Sequence, residues 1–144
     1  MKKKLILLIG AIVVFIFAVV ALGLGLGKES GGQDVEGDFV DNQVLIVLTR
    51  EETLKFLDYT VEDFADVGAI AVEELGADVT DWVRKKVLGI PTDNEMLVNI
   101  DKYCRIFSIT LDKHSKANVI KMSKKLEQRD GIQSAEPNYI FSIA

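Results

Sequence analysis

The stretch Tyr103 to Leu111 constrains this chain more than any other. Phe107, Ile109 and Leu111 alternate with Ser108 and Thr110, which puts apolar side chains on one face of a strand and hydroxyls on the other. Such a strand belongs in a sheet with one covered face and one face left to water or to a partner. The rest of the chain must supply further strands and the helices that do the covering.

Not all of the 144 residues are available for that task. Lys2, Lys3 and Lys4 precede a run of 23 residues, Leu5 to Gly27, without a charged or strongly polar side chain. A bilayer needs about 20 residues at helical rise, so the run reads as a transmembrane helix that stays in place as an anchor. A cleavable signal peptide is the alternative, with Val19-Val20-Ala21 as its small-residue cleavage site. Either way the lysines stay in the cytoplasm and the rest lies outside. The expected location is a single-pass cell-membrane protein, or a secreted one if Met1 to Ala21 is removed. Residues 28–42 are polar and glycine-containing, with Glu29, Asp34, Glu36, Asp38 and Asp41, and read as a flexible acidic linker. Residues 43–144 are left as a single domain, large enough for a modest core.

Val44 to Leu48 is a continuous apolar, β-branched run and reads as a buried strand within Gln43 to Thr49. Thr60-Val61-Glu62-Asp63 fits a capping box, and Gly68 ends the short helix that follows. Ala69 to Leu75 is a second strand, with Ile70 and Val72 as its apolar alternation. Asp78 to Leu88 is a helix capped by Asp78 or Thr80, with Val79, Trp82, Val83 and Val87 on one side. Gly89 to Asn94 is a loop. Lys116 to Arg129 is a helix capped by Ser115, with Val119, Ile120 and Leu126 inward beside Met122 and Ser123. Gly131 fits a left-handed cap, and the last strand, Ile132 to Ile140, is interrupted by Pro137, which restricts it to an edge or a strand end. Without the helix between the second and third strands, the order is β-α-β-β-α-β. The expected fold is therefore α+β, a ferredoxin-like open-faced sandwich with an extra helix inserted.

The chemistry-bearing residues are few. The single histidine, His114, has only Ser115 beside it, and that serine is better used as a helix cap. No cluster has metal-ligand spacing and no glycine loop follows a strand to cradle phosphate, so no catalytic residue, metal or cofactor is expected. Cys104, the only cysteine, cannot form an internal disulfide and reads as a buried thiol. After Gly27, 14 basic residues face 22 acidic ones, a net charge near −8 that argues against nucleic-acid binding. No convergent polar pocket motif suggests a small-molecule ligand.

From Leu126 to Tyr139 the residues Leu-Glu-Gln-Arg-Asp-Gly-Ile-Gln-Ser-Ala-Glu-Pro-Asn-Tyr resemble the end of the propeptide domain of subtilisin-like serine proteases, the inhibitor I9 type. The resemblance extends over residues 43–144 and is specific in the last twenty or so. It implies an intramolecular-chaperone and inhibitor fold whose open sheet face docks on two protease helices. In that arrangement Glu136 caps one helix N-terminus, and Asn138 stands where the family carries a second acid. The resemblance places Phe141, Ser142, Ile143 and Ala144 as an extended strand in the substrate groove, with Ala144 on the acyl side of the cleaved bond. No protease domain follows Ala144, so the expected role is inhibition or folding assistance in trans, with a subtilisin-like serine protease as partner and the membrane engaged through residues 5–27. A membrane-anchored structural or protein-interaction module without a protease partner is the alternative.

Overall fold

A computed structural model of the chain describes residues 38–140. The apolar run Leu5 to Gly27, most of the linker and Phe141 to Ala144 lie outside the described residues. Among the described residues, no helix is long and apolar enough to cross a membrane.

The architecture is α+β. In chain order it comprises β1 (Phe39–Leu48), α1 (Arg50–Thr53), a 3-10 helix (Val61–Val67), β2 (Ala69–Leu75), α2 (Ala77–Val87), a second 3-10 helix (Ile100–Lys102), β3 (Ile106–Leu111), α3 (Lys116–Glu127) and β4 (Ile132–Tyr139). The strands form one four-stranded sheet in the order β2-β3-β1-β4, and each neighbouring pair is antiparallel. Asp93–Asn99 is not part of this compact unit and has no regular secondary structure.

One sheet face carries the core. Val44, Ile46 and Leu48 of β1 and Phe107, Ile109 and Leu111 of β3 pack with Phe64 and Val67 of the first 3-10 helix and Val119, Met122 and Leu126 of α3. Complete burial of each such aliphatic side chain contributes roughly 1.5–3 kcal/mol, which makes this the main source of stability. Ser115 caps α3 by accepting the Asn118 N–H at 3.2 Å. The first 3-10 helix carries the capping box read from the sequence, with the Asp63 carboxylate accepting the Thr60 N–H at 2.7 Å.

Several boundaries differ from the sequence expectation, each for a local reason. β1 begins at Phe39, inside the expected linker, because the polar residues there are partnered. Asp38 accepts from Lys116 at 2.7 Å, Asp41 pairs with His114 at 2.9 Å, and the Asn42 amide donates to the Leu111 carbonyl at 3.3 Å. Phe39 lies opposite Tyr139, their rings edge to face at 5.8 Å. In β2 the register slips between Ala69 and Ala71, so Ile70 bulges outward and is 58 % exposed, while Val72 packs on the core. α2 starts after Gly76, whose left-handed backbone ends β2; Asp78 is not the cap, and Thr80 instead shares a 2.6 Å hydrogen bond with the Tyr103 hydroxyl. Val87 and Ile120 are exposed rather than inward, each lying at the margin of its helix's apolar stripe. β4 runs through Pro137 without a break because it is an edge strand, with only β1 beside it.

Gly131 has φ of 86°, and a Cβ there would meet the Glu52 side chain at 3.0 Å. Its carbonyl accepts the Thr49 N–H at 2.8 Å, which joins the start of α1 to the turn before β4. Gly131→Ala is therefore expected to lower stability by about 1–2 kcal/mol in urea unfolding. An unchanged midpoint would mean that the turn relaxes and Glu52 moves aside.

Candidate functional site

The second face of the sheet follows from the register. Three rows of side chains cross all four strands: Ser134, Val47, Ile106 and Leu75; then Glu136, Leu45, Ser108 and Glu73; then Asn138, Gln43, Thr110 and Ala71. The rows differ in exposure. In the first, Ser134, Val47 and Ile106 are buried. The segment between β2 and β3 has its own buried side chains, Val79, Trp82, Val83, Tyr103 and Cys104, none of which joins the core on the opposite face. In the other two rows every side chain is half-buried or exposed. The second face, expected to be left to water or to a partner, is thus closed at one end and accessible at the other. Serine and threonine make it polar enough to stand in water, as the alternation in β3 required.

Glu136 sits on this accessible part, on the edge strand, opposite Leu45. It is half-buried, and no described residue gives its carboxylate a hydrogen bond or an ion pair. Burial, with a smaller contribution from the Glu127 carboxylate, raises its proton affinity above the ordinary glutamate range. Asn138, one row along, donates from Nδ2 to the Gln43 Oε1 at 2.8 Å. That bond occupies a donor of the amide and leaves its oxygen as an acceptor. Phe141, Ser142, Ile143 and Ala144 follow the end of β4 and lie outside the described residues.

A raised value for Glu136 has a definite sign in stability. The folded state holds the proton more tightly than the unfolded chain does. The contribution is fully present in acid, below the unfolded value, and is lost as pH rises through the folded value. Glu136→Gln removes that loss. The stability of the parent chain should therefore fall relative to the Gln variant as pH rises from acid through the raised range of Glu136, read from urea midpoints. A constant difference across that range would show that Glu136 is not desolvated.

The other chemistry-bearing groups are occupied structurally. His114 is exposed, with Nδ1 against Asp41 at 2.9 Å and Nε2 3.4 Å from the Asn42 amide, and the Ser115 hydroxyl caps α3. Cys104 is buried, its Sγ 3.8 Å from Gln133 Oε1, and burial pushes the thiol up, away from nucleophilic use. Trp82 is buried with the Lys86 ammonium 5.2 Å from its ring centre. Among the described residues no group of histidine, cysteine and acid side chains could hold a metal ion.

The sequence singled out Glu136 and Asn138 but not Leu45, Gln43, Ser108 or Glu73, which share their rows. The alternation in β3 signalled Ser108 and Thr110 as outward-facing. The rows themselves depend on strand order and register, which no local pattern specifies. Neither a scan against protein-family models nor searches of the curated proteins and the solved structures finds a match to this chain.

Proposed function

We propose that this domain binds a subtilisin-like serine protease in trans, as an inhibitor or folding helper. It does so through the accessible part of the second sheet face and the residues that follow β4. The domain is read as a ferredoxin-like open-faced sandwich with an inserted helix, held outside the membrane by an anchor at Leu5 to Gly27. The sheet order β2-β3-β1-β4 is the one a β-α-β-β-α-β sandwich takes. The observation that carries the reading is Glu136, a half-buried carboxylate with no described partner. Desolvating a charge without pairing it is unfavourable, and the N–H groups at a helix N-terminus would supply what is missing. Asn138 adds an acceptor oxygen one row away but no charge. β4 is an edge strand of the sheet, and in this reading the residues that follow it lie as an added strand in a partner's groove.

The test is a titration of the full chain, in mild detergent, against a mature subtilisin-like protease hydrolysing a chromogenic peptide. Competitive inhibition is the expected result. It should weaken as pH falls through the raised range of Glu136, because only the ionised carboxylate favours a helix N-terminus. A second reading, a protein-interaction module with no protease partner, is favoured by the Asn138–Gln43 bond, which satisfies part of the amide within the domain. The absence of inhibition by a chain that survives undigested would support that second reading.

A further inference from the structure

The last residue of α2 and the segment after it expose apolar side chains that the fold does not use. Val87, Leu88 and Ile90 are 45 %, 59 % and 42 % exposed, around Gly89 in the left-handed conformation and before Pro91. A turn that presents three aliphatic side chains to water is unfavourable for a domain that stands alone. Immediately before it comes Arg84-Lys85-Lys86, the only run of three basic residues after Lys4 in a strongly acidic chain. Asp81 pairs with Arg84 at 2.6 Å and with Lys85 at 2.9 Å, which fixes these side chains in the last turn of the helix. Basic residues beside an exposed apolar tip suit one surface above others, an anionic bilayer, where the cations meet headgroups and the aliphatic side chains enter the acyl boundary.

We propose that Val87, Leu88 and Ile90 form a membrane-seated tip that holds the domain against the lipid surface. The proposal rests on the reading of Leu5 to Gly27 as a retained anchor. Only the residues from Lys28 to Asp38 separate that run from β1, a tether of about 40 Å at full extension, so the domain would be kept within reach of the bilayer. Seating the tip fixes the domain's orientation and so determines which way the accessible sheet face points.

The test uses the full chain in vesicles of phosphatidylcholine and phosphatidylglycerol, with an environment-sensitive fluorophore on Leu88→Cys. Cys104 is buried and does not compete for the label. Acyl chains brominated near the headgroup should quench the Leu88 label severalfold more strongly than a label on Lys113→Cys, which is exposed before α3. Replacing Val87 and Ile90 by aspartate should abolish the difference. Equal quenching at both positions in a chain that resists carbonate extraction overturns the tip and leaves the anchor standing. Release of the chain by carbonate overturns the anchor and the tip with it. A blue-shifted Leu88 label that brominated lipid does not quench means that protein covers the tip, and overturns the lipid assignment.

Discussion

Arg105→Ala is expected to destabilise the domain by about 3–5 kcal/mol, the range found when one partner of a buried ion pair is removed. Arg105 is only 4 % exposed, yet every part of its guanidinium is used. Nε donates to Glu74 Oε1 at 2.8 Å, Nη2 to Glu74 Oε2 at 3.0 Å and Nη1 to the Leu57 carbonyl at 2.7 Å. The group also lies 4.9 Å from the Phe107 ring centre and 5.9 Å from that of Tyr59. Its backbone contributes as well, since the Arg105 N–H donates to the fully buried Thr53 hydroxyl at 3.0 Å and its carbonyl accepts from Leu48 N–H at 3.0 Å. Glu74 and Arg105 flank the segment that joins β2 to β3, so the bidentate pair closes the base of the insertion. Arg50 supports the same closure by donating to the carbonyls of Ile100 and Tyr103. Alanine at 105 would leave the Glu74 carboxylate largely desolvated with no counter-charge. Urea unfolding followed by circular dichroism measures the effect. Replacing both residues, as Arg105→Met with Glu74→Leu, should restore a large part of the loss, because the cost lies in the orphaned charge more than in the absent attraction. A single variant within 1 kcal/mol of the parent, about the size of an exposed pair, would show that the pair is solvated.

Glu136→Lys is expected to abolish protease binding while leaving the fold in place. If Glu136 meets a helix N-terminus as proposed, reversing its charge should cost about 2–5 kcal/mol of affinity, or roughly thirtyfold to several thousandfold. No such loss is expected in the free domain. Glu136 has no described partner to lose, and lysine on an edge strand is well tolerated. A residue whose replacement leaves stability nearly unchanged but removes binding separates a docking role from a structural one. If instead Glu136→Lys unfolds the domain, the carboxylate is part of the fold and the docking argument built on it fails.

Local patterns in the sequence were enough to find most of the elements. β2 was bounded correctly, and the apolar face of β3 followed from its period of two. The start of α3 at Lys116, after Ser115, followed from the cap. Pro137 restricted β4 to an edge or a strand end, and the strand order makes it an edge. What local pattern missed depended on distant partners. β1 extends back to Phe39 because Lys116, His114 and the Leu111 carbonyl, all far along the chain, satisfy Asp38, Asp41 and Asn42. Ile70 faces out because of a bulge set by pairing with β3. The cap of α2 was assigned to acid and hydroxyl residues, but Gly76 takes that place because the chain must reverse directly out of β2. The α1 turn, Arg50–Thr53, escaped notice because four residues carry too little periodicity; Thr49, which accepts the Glu52 N–H at 3.2 Å, was its signal. For the candidate site, the sequence supplied Glu136 and Asn138 through a resemblance. Leu45, which lies opposite Glu136, emerges as its neighbour only once β1 and β4 are in register.

The most direct test of the proposed docking is calorimetric titration of the full chain into a subtilisin-like protease whose catalytic serine has been replaced by alanine, so that binding is read without digestion. The account predicts a one-to-one complex that the Glu136→Lys chain fails to form under the same conditions. No heat of binding with the parent chain, or equal affinity for parent and variant, would contradict it.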